Sequence, residues 1–188
     1  MEAVINKLGG EDGVDKLLRG ELVVSEREPK GQRSSKAKKQ PQLDTIIRVD
    51  RSVRPSYPDW ARLVMNPELE NTGPAEYDLA TVDQWLHDGQ KNGGYMRGQA
   101  LYDHLKSNGL LDSCLGLADG MEIKAKGIAV FRKFFKGNAV FLWRSVVRRS
   151  DGSLRVPCLY EGGGELVLFW YWLDNYWRGN GPALRFAS

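Results

Sequence analysis

The chain has 188 residues, of which 41% are hydrophobic and 10% aromatic, a composition that excludes a wholly disordered protein. The net charge is only +3, but residues 27–54 carry nine lysines and arginines against three acids, a net of +6 that leaves the remainder at −3. No apolar run reaches the roughly 18 residues that a membrane-spanning helix needs, and the first residues do not match a signal peptide. Two cysteines are too few for a disulfide scaffold, so we expect a cytoplasmic protein without membrane contact.

The first part of the chain predicts short helical turns followed by a loop. Val4, Ile5 and Leu8 form an apolar edge in a helical turn region over residues 1–26. Residues 27–43 are rich in Pro, Gly, Ser, Gln and Lys, which is typical of a flexible loop and here of a basic one.

The middle, residues 44–137, is predicted to be mainly helical after one short strand at 45–49. Apolar residues at helical spacing predict helices at 60–64, 81–92, 97–107, 110–117 and 121–136. Thr81-Val82-Asp83-Gln84 matches a capping box at the start of the second helix. Gly127 weakens the last helix by about 1 kcal/mol relative to alanine.

Residues 138–188 predict an antiparallel sheet with strands at 139–149, 154–160 and 165–173. Asp151-Gly152 predicts a type I′ turn between the first two strands, and the glycines 162–164 predict the second turn. Pro157 cannot donate to a ladder, which indicates an edge or a bulge. Arg144 is expected on a partly wet face, and the third strand is expected to be the most buried.

These elements together predict one α+β domain over residues 1–188. Its N-terminal and central short helices would pack on a C-terminal antiparallel β-meander of three to five strands.

Two basic regions are candidate contacts for nucleic acid or for an acidic partner. Residues 30–39 hold five cations and no acid, and such a run binds phosphates by releasing their counterions; the alternative is a solvated, mobile loop. The helix at 121–136 adds cations beside phenylalanines, but Phe131 and Phe134 share the stripe of Ile123 and Val130, which places them in the core. The predicted contact residues are Arg33, Lys36, Lys38, Lys39, Lys126 and Lys133.

The aromatic run at 169–172 is a second candidate surface. Consecutive strand residues face opposite ways, so the four side chains cannot all line one pocket, and at least one face covers the core. Trp177 and Arg178 follow in a glycine-rich turn and are predicted to form an exposed edge that contacts a protein.

The sequence does not indicate a metal site or a known catalytic motif. His87, His104, Cys114 and Cys158 are not spaced as metal ligands, and no metal or cofactor is expected. His87 and Asp88 are a candidate acid–base pair, although a histidine at a helix end also complements the helix dipole. P-loop, dinucleotide-binding, nucleophile-elbow and zinc-protease motifs do not occur in the sequence.

Several tracts resemble a group of small proteins from uncultivated bacteria of the candidate phyla. They are residues 8–14 and 18–24, the stretch Thr81-Val82-Asp83-Gln84-Trp85-Leu86-His87-Asp88 within residues 76–92, and residues 139–188 with the ending Asn180-Gly181-Pro182-Ala183-Leu184-Arg185-Phe186. The resemblance implies a bacterial, cytoplasmic protein. No activity is known for that group, so it implies no catalytic or binding residues.

The leading hypothesis is a non-enzymatic binding module that contacts nucleic acid or an acidic partner through its basic loop. One alternative is a small enzyme whose acid/base groups, His87, Asp88 or His104, lie in a cleft between helices and sheet. Another is a homo-oligomerisation module whose aromatic sheet edge pairs with a second copy. The sequence leaves the oligomeric state open.

Overall fold

A seven-stranded sheet organises residues 43–187, the part of the chain that the computed structural model describes; these residues belong to one compact unit, Leu43–Ser188. The expected helical turn region 1–26 and the basic residues Arg33, Lys36, Lys38 and Lys39 lie outside the described residues. The described chain mixes α-helices with mostly antiparallel strands, which confirms the α+β class.

The strands are β1 (Ile46–Arg48), β2 (Ala61–Val64), β3 (Glu76–Asp78), β4 (Val82–Trp85), β5 (Met96–Arg97), β6 (Val140–Phe141), β7 (Val147–Arg149), β8 (Leu154–Gly162), β9 (Glu165–Trp172), β10 (Tyr176–Trp177) and β11 (Ala183–Phe186). The large sheet has the order β2-β7-β8-β6-β11-β4, and β9 pairs with β8. Two small pairs, β1 with β3 and β5 with β10, lie outside it. The sheet therefore has more strands than the three to five expected, and β6 with β11 is a parallel pair.

Three α-helices occur in the described residues: α1 (Gly98–Ser107), α2 (Leu117–Ala125) and α3 (Ile128–Phe135). Helix α1 confirms the helix expected at 97–107. The single helix expected at 121–136 is instead divided between α2 and α3, because Gly127 has a φ of +86° that ends one helix before the next begins. The helix expected at 110–117 is a short 3₁₀ turn, Leu111–Ser113.

Two other expected helices are strands. Residues 61–64 form β2, which pairs with β7, and residues 82–85 form β4, which pairs with β11. Both segments are short and rich in apolar residues, and such segments take their conformation from the partner that satisfies their backbone groups. Those partners lie far away in the sequence, as the Val82–Phe186 pairing shows.

One of the two hairpin turns differs in type from the expectation. Gly163 and Gly164 both have positive φ, +61° and +83°, as a type I′ turn requires, and they join β8 to β9. The Asp151-Gly152 turn is of another kind, since only Gly152 has a positive φ there. Its amide donates to the Arg149 carbonyl, which gives a three-residue loop closed by a left-handed glycine.

Strand β8 is more buried than β9, contrary to the expectation that β9 is the most buried of the C-terminal strands. It pairs with β9 on one side and with β6 and β7 on the other, whereas β9 has β8 as its only partner among the described strands. Pro157 is therefore central rather than at an edge. The Pro157 carbonyl accepts a hydrogen bond from Leu142 N at 3.0 Å. The Pro157 nitrogen, which has no hydrogen to donate, therefore faces the gap in the ladder between β6 and β7, where the chain turns through Trp143–Ser145.

Arg144 lies in that turn and is fully buried, which corrects the expectation of a partly wet position. Its guanidinium donates to the carbonyls of Thr72 and Asp112 at 2.6 and 2.7 Å and lies 5.6 Å from the centre of the Phe186 ring. Strand alternation fails here because the backbone is a turn.

The sheet carries a hydrophobic core on each face. Leu159 and Leu166 face α2 and α3 and pack in a cluster with Ile123 and Phe131. On the opposite face, Cys158 belongs to a cluster that includes residues of α1. Phe131 is thus in the core, as its helical spacing predicts.

Candidate functional site

The cations expected to bind a partner do not form one surface within the described residues. Lys126 is largely covered and pairs with Asp44 at 2.5 Å, whereas Lys133 is exposed on α3. Two more cations of the basic stretch 27–54 are also paired: Arg48 with Glu76, and Arg51 with Asp119. Much of the described basic charge therefore stabilises the fold.

Trp177 is not an exposed recognition residue. Only 3% of it is accessible, and its indole packs against the rings of Phe141 and Trp143 at 5.2 and 5.7 Å. The cause is alternation in β10, which turns Tyr176 outward and Trp177 inward. Arg178 is exposed, as expected.

The two histidines of the chain do meet, with ring centres 4.5 Å apart. His87 Nδ1 accepts from the Gly89 amide at 3.0 Å, so the ring proton of the neutral form sits on Nε2. Metal-binding histidines normally donate from their second nitrogen, which His87 does not do. Asp88 bonds Lys91 at 2.7 Å, so the expected His87–Asp88 pair is not formed.

Residues 43–187 contain no group of three or more His, Cys, Asp and Glu side chains placed to hold a metal ion. Neither histidine lines either of the two cavities described below.

A cavity of about 330 Å³ opens beside the β8–β9 hairpin and is the best-formed candidate site. Cys158 and Tyr160 on β8, with Phe169 and Tyr171 on β9, are alternate residues that share one sheet face and form its floor. The Phe169 ring lies edge-on to Tyr160 and to Tyr171, with centres 6.4 and 6.1 Å apart. These three rings are an aromatic platform, and Phe169 remains 43% exposed.

Two loops close the other side of this aromatic pocket. Gly137, Asn138 and Ala139 follow α3, and Asn180 comes from the loop after β10. Ala139 N donates to the Asn180 carbonyl at 2.9 Å, which holds the two loops together. The pocket therefore combines an apolar floor with a polar rim.

The rim is net positive. Glu161 lines the pocket, and both of its carboxylate oxygens accept from Arg132, at 2.5 and 3.0 Å. The hydrogen bond from Arg132, together with the charges of Arg132 and Lys136, lowers the pKa of the Glu161 carboxyl. Arg178 is exposed two residues before Asn180. The two cations Arg132 and Lys136 thus accompany one anion at the rim.

Cys158 is buried in the floor of the pocket. Burial raises the pKa of its thiol to about 12, which disfavours the reactive thiolate.

A second cavity, of about 380 Å³, lies beside α2 and has no aromatic ring in its lining. Its walls are Val49, Asp50, Val53, Arg54, Pro55, Ser56, Ala118, Met121 and Glu122.

The sequence contained one usable signal for the aromatic pocket: Phe169 and Tyr171 are two residues apart on a strand and so share a face. Tyr160 and Asn138 were not predicted as site residues, because their approach depends on the β8–β9 register and on the loop after α3.

Comparison with protein-family models, with curated proteins and with solved structures returned no match. In the part of the chain that the structure describes, no helix combines the length and apolar character needed to cross a membrane.

Proposed function

We propose that this chain is a non-enzymatic binding module for single-stranded nucleic acid. A base stacks in the aromatic pocket, and the neighbouring phosphates contact the cations of its rim. Proteins that bind single strands combine aromatic side chains, on which bases stack, with a positive groove that follows the backbone.

The observation that carries the proposal is the platform of Tyr160, Phe169 and Tyr171. An exposed ring of Phe169's size in a concave site favours a flat partner over a purely aliphatic one, because the aromatic faces stack. The tyrosine hydroxyls and the two asparagines at the rim add groups that hydrogen-bond to base edges.

Charge favours a polyanion over a neutral aromatic ligand. Arg132 and Lys136 lie beside the Glu161 carboxylate of the pocket, and the exposed Arg178 lies two residues before Asn180 in the chain. The stretch 27–54 contributes a further net +6 to the chain. Each phosphate neutralised by such groups releases counterions, which adds salt-sensitive affinity.

We also propose a bacterial cytoplasm as the site of action, as the resemblance implies. Cys114 and Cys158 are both buried and unlinked, which supports a reducing compartment.

Fluorescence anisotropy with labelled single-stranded oligonucleotides over a salt series tests the proposal. We expect affinity to fall as salt rises, and Phe169→Ala to weaken binding by about tenfold, since one stacked base contributes about 1–3 kcal/mol. Trp172→Ala is the matched control: it lies on the same strand with 44% exposure but on the opposite face. The absence of binding at low salt, or binding that does not respond to salt, would exclude the proposal.

Lys136→Gln tests the charged rim separately. We expect weaker binding and a shallower dependence on salt, because one phosphate contact is lost. Lys124→Gln, an equal change at an exposed position of α2, should bind as the parent does.

Self-association is a second candidate function, favoured by strand β9. Between Leu166 and Trp172 this strand has no charge and no proline, and it pairs only with β8 among the described strands. Unprotected edges of this kind pair with other strands. Light scattering that shows a monomer at high concentration would remove this candidate.

A further inference from the structure

We propose that Asn138 selects cytosine and adenine, the bases whose amino groups are N4 and N6, and that Gln84 is the residue that positions it. This inference rests on the proposed function. It concerns which base the aromatic pocket prefers and leaves the stacking itself unchanged.

A short relay of hydrogen bonds orients the two side-chain amides. Gln84 Nε2 donates to the backbone carbonyl of Phe134 at 3.1 Å, and Asn138 Nδ2 donates to Gln84 Oε1 at 2.8 Å. A carbonyl oxygen can only accept, so the NH₂ end of Gln84 must face Phe134 and its oxygen must face Asn138. Asn138 therefore turns its own NH₂ end toward Gln84.

This orientation leaves Asn138 Oδ1 as the end of the amide that points away from Gln84. Asn138 lines the aromatic pocket, and its backbone is held as well, since its amide donates to the Phe135 carbonyl at 2.9 Å. The pocket thus gains an acceptor whose orientation is set before a ligand arrives, which reduces the entropy lost on binding.

Glu161, the other strong acceptor at the rim, is already engaged, because Arg132 bonds both of its oxygens. A ligand donor would have to displace that ion pair to use it. Asn138 Oδ1 is therefore a pre-oriented acceptor that a base can use without breaking an existing contact.

An acceptor recognises a donor on the base edge. Adenine and cytosine carry NH₂ groups at the position where thymine, uracil and guanine carry a carbonyl oxygen. Cytosine and uracil are rings of equal size that differ at this position, so they form a matched pair of probes. A carbonyl oxygen placed against Oδ1 would leave two acceptors facing each other, which costs affinity.

Anisotropy with short labelled oligo-dC and oligo-dU, at one salt concentration and neutral pH, tests the inference. One net hydrogen bond predicts a preference of about three- to tenfold for oligo-dC. Asn138→Leu should bring the ratio of the two dissociation constants close to one. Gln84→Leu should do the same without touching the base, and neither variant should weaken the binding of oligo-dU. If Gln84 had a purely structural role, its replacement would weaken the binding of both probes equally and leave the ratio of their dissociation constants unchanged.

Gln99→Leu makes the same chemical change on α1, where Gln99 bonds Asp103, and should keep the parental ratio. Salt-dependent binding with equal affinity for both probes, or a ratio that survives both pocket variants, would overturn the inference while the proposed function stands. Failure of the parent to bind either probe would overturn both.

Discussion

Arg51 and Asp119 form a bidentate ion pair inside the fold, although 68 positions separate them in the chain. The nitrogen–oxygen distances are 2.6 and 3.3 Å, and the Asp119 carboxylate is fully covered. Asp119 also accepts from the Tyr77 hydroxyl at 3.2 Å and from the Gly116 amide at 2.9 Å. One carboxylate therefore connects the loop after β1, strand β3 and the start of α2.

Replacing this carboxylate should be costly. Asp119→Asn keeps the shape but leaves Arg51 without its counter-charge, and breaking a buried pair in this way costs about 3 kcal/mol. Urea unfolding followed by tryptophan fluorescence measures the loss. Asp88→Asn removes an exposed ion pair with Lys91 and should not change the midpoint measurably. Equal effects of the two substitutions would contradict the structural role of Asp119.

Glu70 should make stability depend on pH. Burial raises the pKa of its carboxyl, an effect that the nearby Tyr57 hydroxyl and the hydrogen bond from Ser145 only partly offset. The folded protein then keeps a proton that the unfolded chain has released. The free energy of unfolding therefore falls as pH rises above the usual glutamate range and through the raised pKa.

Glu70→Gln removes this titration, so the stability of the variant relative to the parent should rise as pH increases from about 4 through the raised pKa. Urea unfolding at several pH values measures the difference. Glu68→Gln, an exposed change two residues earlier, is the matched control for the loss of a carboxylate. A constant difference for Glu70→Gln would rule out the expected proton uptake.

Gly98 is required by the packing of Trp177. A Cβ built at Gly98 would lie 1.5 Å from Cζ3 of the indole, so Gly98→Ala should destabilise the fold by about 1–3 kcal/mol although alanine favours helices. In a Trp177→Ala background the clash disappears, and Gly98→Ala should be neutral or stabilising. A double-mutant cycle from thermal unfolding measures this coupling. Additive effects would show that the two residues do not interact.

Gly127 separates α2 from α3 because its φ is +86°. Alanine at this position should cost about 1–3 kcal/mol, because a φ of +86° with a ψ of 171° is a backbone conformation that essentially only glycine adopts, even though a Cβ would meet nothing within 4 Å. Asparagine should cost about as much, because its tolerance of positive φ is confined to the left-handed helical region. Chemical unfolding of both variants measures how much stability each substitution costs. If Gly127→Ala stabilised the protein, residues 121–136 would form one continuous helix instead.

The expectations that the structure confirms depend on neighbours in the sequence. Helix α1 and the core position of Phe131 follow from helical spacing, and the turn at Gly163-Gly164 follows from a backbone that only glycine adopts freely. The errors share another cause. Residues 61–64 and 82–85 have local patterns compatible with a helix, and their strand partners lie far along the chain.

By itself, the sequence determined an α+β chain with hairpins near its C-terminal end and a concentration of positive charge at residues 27–54. Only the tertiary structure decided that Trp177 is core, that Arg144 is buried and that Tyr160, Phe169 and Tyr171 meet across from Asn138. The physical reason is the range of the interactions. Backbone preference and side-chain periodicity act over a few residues, whereas strand pairing, ion pairs and pockets depend on which distant segments come into contact.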